Sequence, residues 1–82
     1  MPETAQLVCD IQDGLMPSEN IVRLATADGH IEEVLVANTH IHQGKLRAFV
    51  IGKSEDRVLV ELPRESASGR WRIWMRESEV GF

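Results

Sequence analysis

The chain has 82 residues, of which 43% are apolar and 27% are charged. This composition excludes a disordered or fibrous protein, and the length predicts one small domain that spans residues 1–82. The formal net charge of −4 argues against broad, sequence-independent binding of nucleic acid. No segment approaches the roughly 18 consecutive apolar residues of a membrane-spanning helix, so we expect no membrane association.

The N-terminal segment and the cysteine content bear on the compartment. The opening residues, MPETAQ, are polar and lack the apolar region of a secretory signal, which favours a cytoplasmic location. Cys9 is the single cysteine, so no intramolecular disulfide can form. Because small domains often supplement their core with disulfides, metals or oligomerisation, self-association into a homo-oligomer is a remaining option.

Six short runs rich in Val, Ile, Leu and Phe alternate with clusters of Gly, Pro, Asn and Asp, as is typical of strands separated by turns. In chain order, the predicted strands are Gln6 to Ile11, Ile21 to Thr26, Ile31 to Ala37, Lys45 to Gly52, Arg57 to Leu62 and Arg70 to Met75. The Asp28-Gly29 pair predicts a tight hairpin between the second and third runs, because glycine accepts positive φ. The segment KSEDR predicts another hairpin between the fourth and fifth runs.

These elements predict an all-β fold, in which an antiparallel sheet of five or six strands curls into a small barrel or roll that protects its edges. The arrangement resembles a Src-homology-3-like barrel at the level of the fold, with a late strand, a short turn and a last apolar residue, Val80. This resemblance covers most of the chain and implies no family function. An oligonucleotide-binding-type barrel is the nearest alternative.

Alternation along each run predicts which side chains enter the core. The predicted core residues of the second, third and fifth runs are Val22, Leu24, Val34, Val36, Val58, Val60 and Leu62. In the fourth run Leu46, Ala48 and Val50 face one side, while Phe49 and Ile51 face the other. A strand that is apolar on both faces indicates a barrel centre or an interface.

Both tryptophans lie in the segment RWRIWMR, residues 70–76. As a strand, it would turn Trp71, Ile73 and Met75 toward the core and the other four residues outward. An exposed indole among guanidinium groups can stack on a base or a side chain while the arginines hold phosphates or carboxylates. Together with Arg64 from the loop at residues 63–69, the predicted binding residues are Arg70, Arg72, Trp74 and Arg76.

A polar loop, PRESASG at residues 63–69, precedes this strand and either closes over a ligand or is a plain surface loop. It also allows a structural alternative for the tryptophan. In that alternative the loop covers Trp74, and the neighbouring arginines pair with Glu61, Glu65 or Glu77 across the strands.

Metal binding and catalysis find little support in the sequence. His40 and His42, with His30 further away, suggest zinc, but no third ligand is evident and we predict a solvated turn without metal. Cys9 is predicted to be a small buried apolar residue. The acidic pairs Glu32-Glu33 and Glu55-Asp56 diverge on strands and are predicted to be solvated charge. No phosphate-binding loop or nucleophile motif is present, so we expect neither an enzyme nor a cofactor.

The first functional prediction is a non-enzymatic interaction module that binds a protein partner or completes an assembly through Trp74 and the loop at residues 63–69. The alternative is an RNA-binding protein that uses the arginines around Trp74. The acidic first half of the chain weakens the case for RNA. Residues 1–41 carry seven acids and one base, whereas residues 42–82 carry six acids and eight bases. An enzyme or metal protein built on His40 and His42 is the third and least supported reading.

Overall fold

A computed structural model describes residues 3–82, so the first two residues of the MPETAQ segment lie outside the described part. In this part the chain forms antiparallel strands and two short 3₁₀ turns, Asn38–His40 and Glu77–Glu79. The strands are β1 Glu3–Leu7, β2 Asp10–Asp13, β3 Glu19–Ala25, β4 Ile31–Ala37, β5 Ile41–His42, β6 Lys45–Ser54, β7 Arg57–Glu61, β8 Arg72–Arg76 and β9 Val80–Gly81. The all-β, antiparallel prediction is confirmed. Between residues 3 and 82 there is no helix with the length and apolarity that crossing a membrane would need.

The strands form two sheets. The larger sheet has the order β8-β7-β6-β1-β9, and β5 also pairs with β6. The smaller sheet has the order β2-β3-β4. The predicted hairpin at Asp28-Gly29 joins β3 to β4, and Gly29 has the positive φ (86°) that this turn requires. The second predicted hairpin joins β6 to β7 through Glu55, which also has positive φ (55°).

One core is shared by the inward faces of both sheets. Alternation explains its composition, since most inward-facing residues of the long strands are apolar and buried, with Glu32 as a charged exception. The buried apolar residues are Ala5, Leu7, Val22, Leu24, Val34, Val36, Leu46, Ala48, Val58, Val60, Leu62, Ile73, Met75 and Val80. The core prediction for the second, third and fifth runs is therefore confirmed.

The predicted barrel is not closed, because no ladder joins the two sheets in the described part of the chain. The first predicted strand, Gln6 to Ile11, is also two strands. The chain leaves the larger sheet after Leu7 and enters the smaller sheet at Asp10, so β1 pairs with β6 while β2 pairs with β3. Elsewhere the sheets are connected by single backbone hydrogen bonds and not by a ladder. The Ala27 N–H donates to the Trp74 carbonyl at 2.8 Å, and the Ala67 N–H donates to the Glu33 backbone carbonyl at 2.7 Å.

The prediction that Trp71 belongs to the core is wrong, since its side chain is 50% exposed. Strand β8 begins one residue later, at Arg72, and Trp71 lies in a bend. Its indole N–H donates to the Glu65 carboxylate at 2.9 Å, which holds the ring toward the preceding loop. Leu62, whose N–H donates to the Trp71 carbonyl, fills the core at this level instead. The other two members of the predicted trio, Ile73 and Met75, are buried as expected.

The prediction that Glu32 is solvated is also wrong, because its side chain is only 6% exposed. Glu32 lies on the inward face of β4, and its carboxylate accepts hydrogen bonds from the Ser66 hydroxyl at 2.9 Å and the Ser68 hydroxyl at 2.6 Å. The Arg70 guanidinium lies 3.6 Å away. These contacts satisfy a buried charge, and they fasten the 63–69 loop to the smaller sheet.

Candidate functional site

The candidate site is the side of the larger sheet that points away from the core, which we call the outer face. Alternation with the buried residues of β1, β6, β7 and β8 determines which side chains it carries. Those residues are Thr4, Gln6, His42, Lys45, Arg47, Phe49, Ile51, Gly52, Ser54, Arg57, Leu59, Glu61, Arg72, Trp74 and Arg76.

The centre of the outer face is apolar. Trp74 is paired directly with Leu59 across β7 and β8. Phe49 and Ile51 lie on the neighbouring strand, so the four side chains form a contiguous group that we call the tryptophan patch. Its largest members are accessible, with Phe49 41%, Ile51 40% and Trp74 37% exposed. Trp74 is therefore not enclosed by the 63–69 loop, although the structural alternative correctly predicted that a neighbouring arginine pairs with Glu61, since Arg72 lies 3.3 Å from it. Contiguous exposed apolar patches of this kind mark interaction sites.

A β-bulge in β6 builds one side of the patch. The register with β7 shifts between Val50 and Gly52, so that Ile51 and Gly52 together oppose Leu59. Both residues therefore lie on the outer face, where strict alternation would have turned Gly52 inward. No atom lies within 4 Å of the position that a Cβ on Gly52 would occupy. The surface is consequently open beside Leu59.

Positive charge surrounds the patch. The outer face carries five of the nine basic residues of the chain and one carboxylate, Glu61, although the whole protein has a net charge of −4. The five are Lys45, Arg47, Arg57, Arg72 and Arg76. The Arg72 guanidinium lies 3.3 Å from Glu61, and the Arg76 guanidinium lies 3.9 Å from Glu79. The other three have no carboxylate within 4.0 Å in the described part of the chain, so their charge is directed to solvent.

Of the five residues predicted to bind, the structure brings three together. Arg72, Trp74 and Arg76 alternate along the outer face of β8. Arg70 precedes the strand, and its guanidinium lies 3.6 Å from the Glu32 carboxylate, so it does not join the group on β8. Arg64 lies elsewhere, at a groove of about 300 Å³ that includes Leu35 of the smaller sheet.

The sequence pattern did not indicate three basic contributors to the outer face, which come from β6 and β7 and not from the RWRIWMR segment: Lys45, Arg47 and Arg57. It showed Phe49 and Ile51 as apolar residues on a second face of their strand, and this was the available signal. What it lacked was the strand order that places this second face next to Trp74.

The histidines do not assemble a metal site. His40 lies in a 3₁₀ turn and His42 lies in β5, where they line two different grooves. Across residues 3–82, no group of three or more His, Cys, Asp or Glu side chains is placed to hold a metal ion.

Two ionisable groups away from the outer face have shifted pKa values. A hydrogen bond from the Thr26 hydroxyl lowers the pKa of the Asp28 carboxyl, because it stabilises the charged form. Partial burial raises the pKa of the Cys9 thiol, since it disfavours the thiolate. Cys9 packs against the core, and its Sγ lies 3.9 Å from the Gly44 carbonyl oxygen. A protonated, partly covered thiol is a poor nucleophile at neutral pH.

Comparison of the chain with protein families, with curated proteins and with solved structures finds no match. The geometry and charge of the outer face are therefore the grounds on which a function is proposed.

Proposed function

We propose that this protein is a non-enzymatic interaction module that binds a partner protein through the tryptophan patch. The observation that carries the proposal is the contiguous group of Trp74, Leu59, Ile51 and Phe49 surrounded by basic side chains. Protein interfaces have this arrangement, with an apolar centre that contains aromatic residues, a polar rim, and Trp and Arg enriched among the residues that dominate affinity.

Charge complementarity specifies the chemistry of the partner. An interface places opposite charges in register, because like charges held together lower affinity. Five basic residues and one acid on the outer face therefore favour a partner that presents apolar side chains flanked by Asp or Glu. The same argument disfavours a second copy docked face to face, since it would bring the two basic rims together.

Single-stranded RNA is the alternative occupant, and three observations rank it second. Leu59 and Ile51, which are aliphatic, separate the two aromatic residues of the patch, whereas stacking platforms for bases use aromatic side chains in succession. Carboxylates already pair with Arg72 and Arg76. The net charge of −4 also opposes the general phosphate attraction on which RNA affinity depends.

The resemblance to a Src-homology-3-like barrel belongs to this proposal. It is supported by the late strand β8, the 3₁₀ turn that follows it, and Val80, which is buried and pairs with Leu7.

Site-specific photo-crosslinking tests the proposal. A photoreactive amino acid replaces Leu59 at the centre of the patch in one variant and Ile31 in another, because Ile31 is an exposed apolar residue of the smaller sheet, 64% accessible. We expect a protein crosslinked from position 59 and absent from position 31, with a crosslinked peptide that contains acidic and apolar residues. RNA crosslinked from position 59, or the same products from both positions, would contradict the proposal.

A further inference from the structure

A second feature of the outer face lies at its other end, where β6 lacks a neighbour on one edge. Strand β5 pairs with β6 at Lys45 and Leu46, and β7 pairs with β6 only from Phe49 onward. Arg47 and Ala48 therefore have strand partners on the β1 side alone. Pro63 follows the end of β7 closely, and because proline has no N–H it cannot extend the ladder toward this gap.

Two grooves meet at the gap. One has a volume of about 320 Å³ and is lined by His40, Phe49 and Pro63, and the other has a volume of about 330 Å³ and is lined by Gln6, His42 and Phe82. Arg47 and Thr4 line both grooves. Each volume lies at the lower end of the range for small-molecule sites.

The walls of the two grooves are apolar, and the residues that the grooves share, Arg47 and Thr4, supply hydrogen-bond donors. Phe49 and Pro63 supply flat apolar surface on one side of Arg47, and Phe82 supplies it on the other. The side chain of Ala48 is buried, so this residue contributes main chain to the wall.

Among residues 3–82, no carboxylate side chain lines either groove and Arg47 forms no ion pair. By register the nearest acid is Glu61, which is paired with Phe49, and Arg72 engages its carboxylate at 3.3 Å. An exposed guanidinium between aromatic rings, without a carboxylate of its own, is suited to a bidentate contact with an external anion.

We propose that the grooves at Arg47 form a binding site for a small organic anion, whose carboxylate or phosphate lies on the Arg47 guanidinium and whose flat apolar body packs against Phe49 and Pro63. This site is centred away from Trp74, and it shares Phe49 and the rim residue Arg47 with the surface proposed for a partner protein.

Titration of the ¹⁵N-labelled protein by NMR tests the site, with phenyl phosphate, inorganic phosphate and benzyl alcohol as probes. We expect saturable shifts from phenyl phosphate centred on Arg47, Phe49 and His40. Affinity should be several-fold weaker for inorganic phosphate, which lacks the apolar body, and undetectable for benzyl alcohol, which lacks the charge. Arg47→Gln should lower the affinity for phenyl phosphate by about tenfold or more, as expected for the loss of one charge-assisted contact.

Arg57→Gln is the matched control, because Arg57 is an exposed arginine of the same face that also lacks a carboxylate partner. It should leave the phenyl phosphate affinity within about twofold of the wild-type value, a difference small against the roughly tenfold effect of one charge-assisted bond. The spectrum of each unliganded variant shows whether the fold is intact. Equal losses from both variants, shifts spread over all the basic residues, or no saturable shift with phenyl phosphate would overturn the proposal, and none of these results bears on protein binding at Trp74.

Discussion

Arg57 and Arg76 are directly opposed in the pairing of β7 with β8. Like charges at such a position lower sheet stability. Arg76 is 3.9 Å from Glu79, whereas Arg57 has no carboxylate partner within residues 3–82. This unfavourable pair is consistent with a face that is arranged for an acidic partner and not for stability alone.

Arg57→Thr is expected to raise the free energy of unfolding, by about 0.2 to 1 kcal/mol, since it removes the repulsion and keeps a residue that favours strands. The same variant should bind the partner protein more weakly. Urea denaturation gives the first quantity and calorimetric titration gives the second. A loss of stability in Arg57→Thr would show that the opposed arginines are not a source of strain.

Neither tryptophan is expected to be essential for folding. Because both indoles are partly exposed, Trp71→Ala and Trp74→Ala should each lower the free energy of unfolding by about 1 kcal/mol, against about 2 to 5 kcal/mol for Met75→Ala in the core. Chemical denaturation of the three variants provides the comparison. If Trp71→Ala lowered the free energy of unfolding as much as Met75→Ala does, Trp71 would have to be a core residue.

Glu32 should contribute far more stability than its neighbour. Glu32→Ala removes the acceptor for the Ser66 and Ser68 hydroxyls in a buried position, and we expect it to lower the free energy of unfolding by about 2 to 4 kcal/mol. Glu33→Ala is the matched control, because its exposed ion pair with Arg23 contributes at most about 1 kcal/mol.

Limited proteolysis supplies a local measurement of the same contact. Cleavage within residues 63–69 should become faster in Glu32→Ala and remain unchanged in Glu33→Ala. Equal cleavage rates in the two variants would mean that Glu32 does not hold the loop.

The lowered pKa of Asp28 predicts a dependence of stability on pH. The folded state favours the charged Asp28 carboxyl, so this group contributes to the free energy of unfolding. That contribution is complete above the ordinary aspartate pKa of about 3.9, and it is lost as the pH falls through the lower pKa of the folded state. Asp28→Asn should therefore reduce the decline in stability on acidification below about pH 4. Denaturation curves across this range test the prediction, and parallel declines for the two proteins would contradict it.

Local patterns in the sequence predicted much of the fold. The alternation of apolar residues correctly placed Val22, Val34, Val58 and their neighbours in the core, and the Asp-Gly pair correctly placed a hairpin. These features depend on residues close together in the chain, where period and turn chemistry are informative.

The features that escaped prediction depend on distant contacts. Ser66 and Glu32 are 34 positions apart, and no local signal shows that the serine hydroxyl satisfies that carboxylate. Alternation places Trp71 in the core only if the strand includes it, whereas the strand begins at Arg72 and the Trp71 indole bonds to Glu65 in the loop. The division of the first strand after Leu7, and the strand order that joins Phe49 to Trp74, are likewise consequences of tertiary pairing.

The affinity of the purified partner for three forms of the protein tests the central claim most directly. Trp74→Ala removes the indole from the tryptophan patch, and Trp71→Ala removes an indole that lies outside it. We predict that Trp74→Ala weakens binding by about 30-fold, the equivalent of roughly 2 kcal/mol for a dominant interface residue, and that Trp71→Ala stays within about threefold of the wild type. Equal affinities for Trp74→Ala and the wild-type protein would contradict the account.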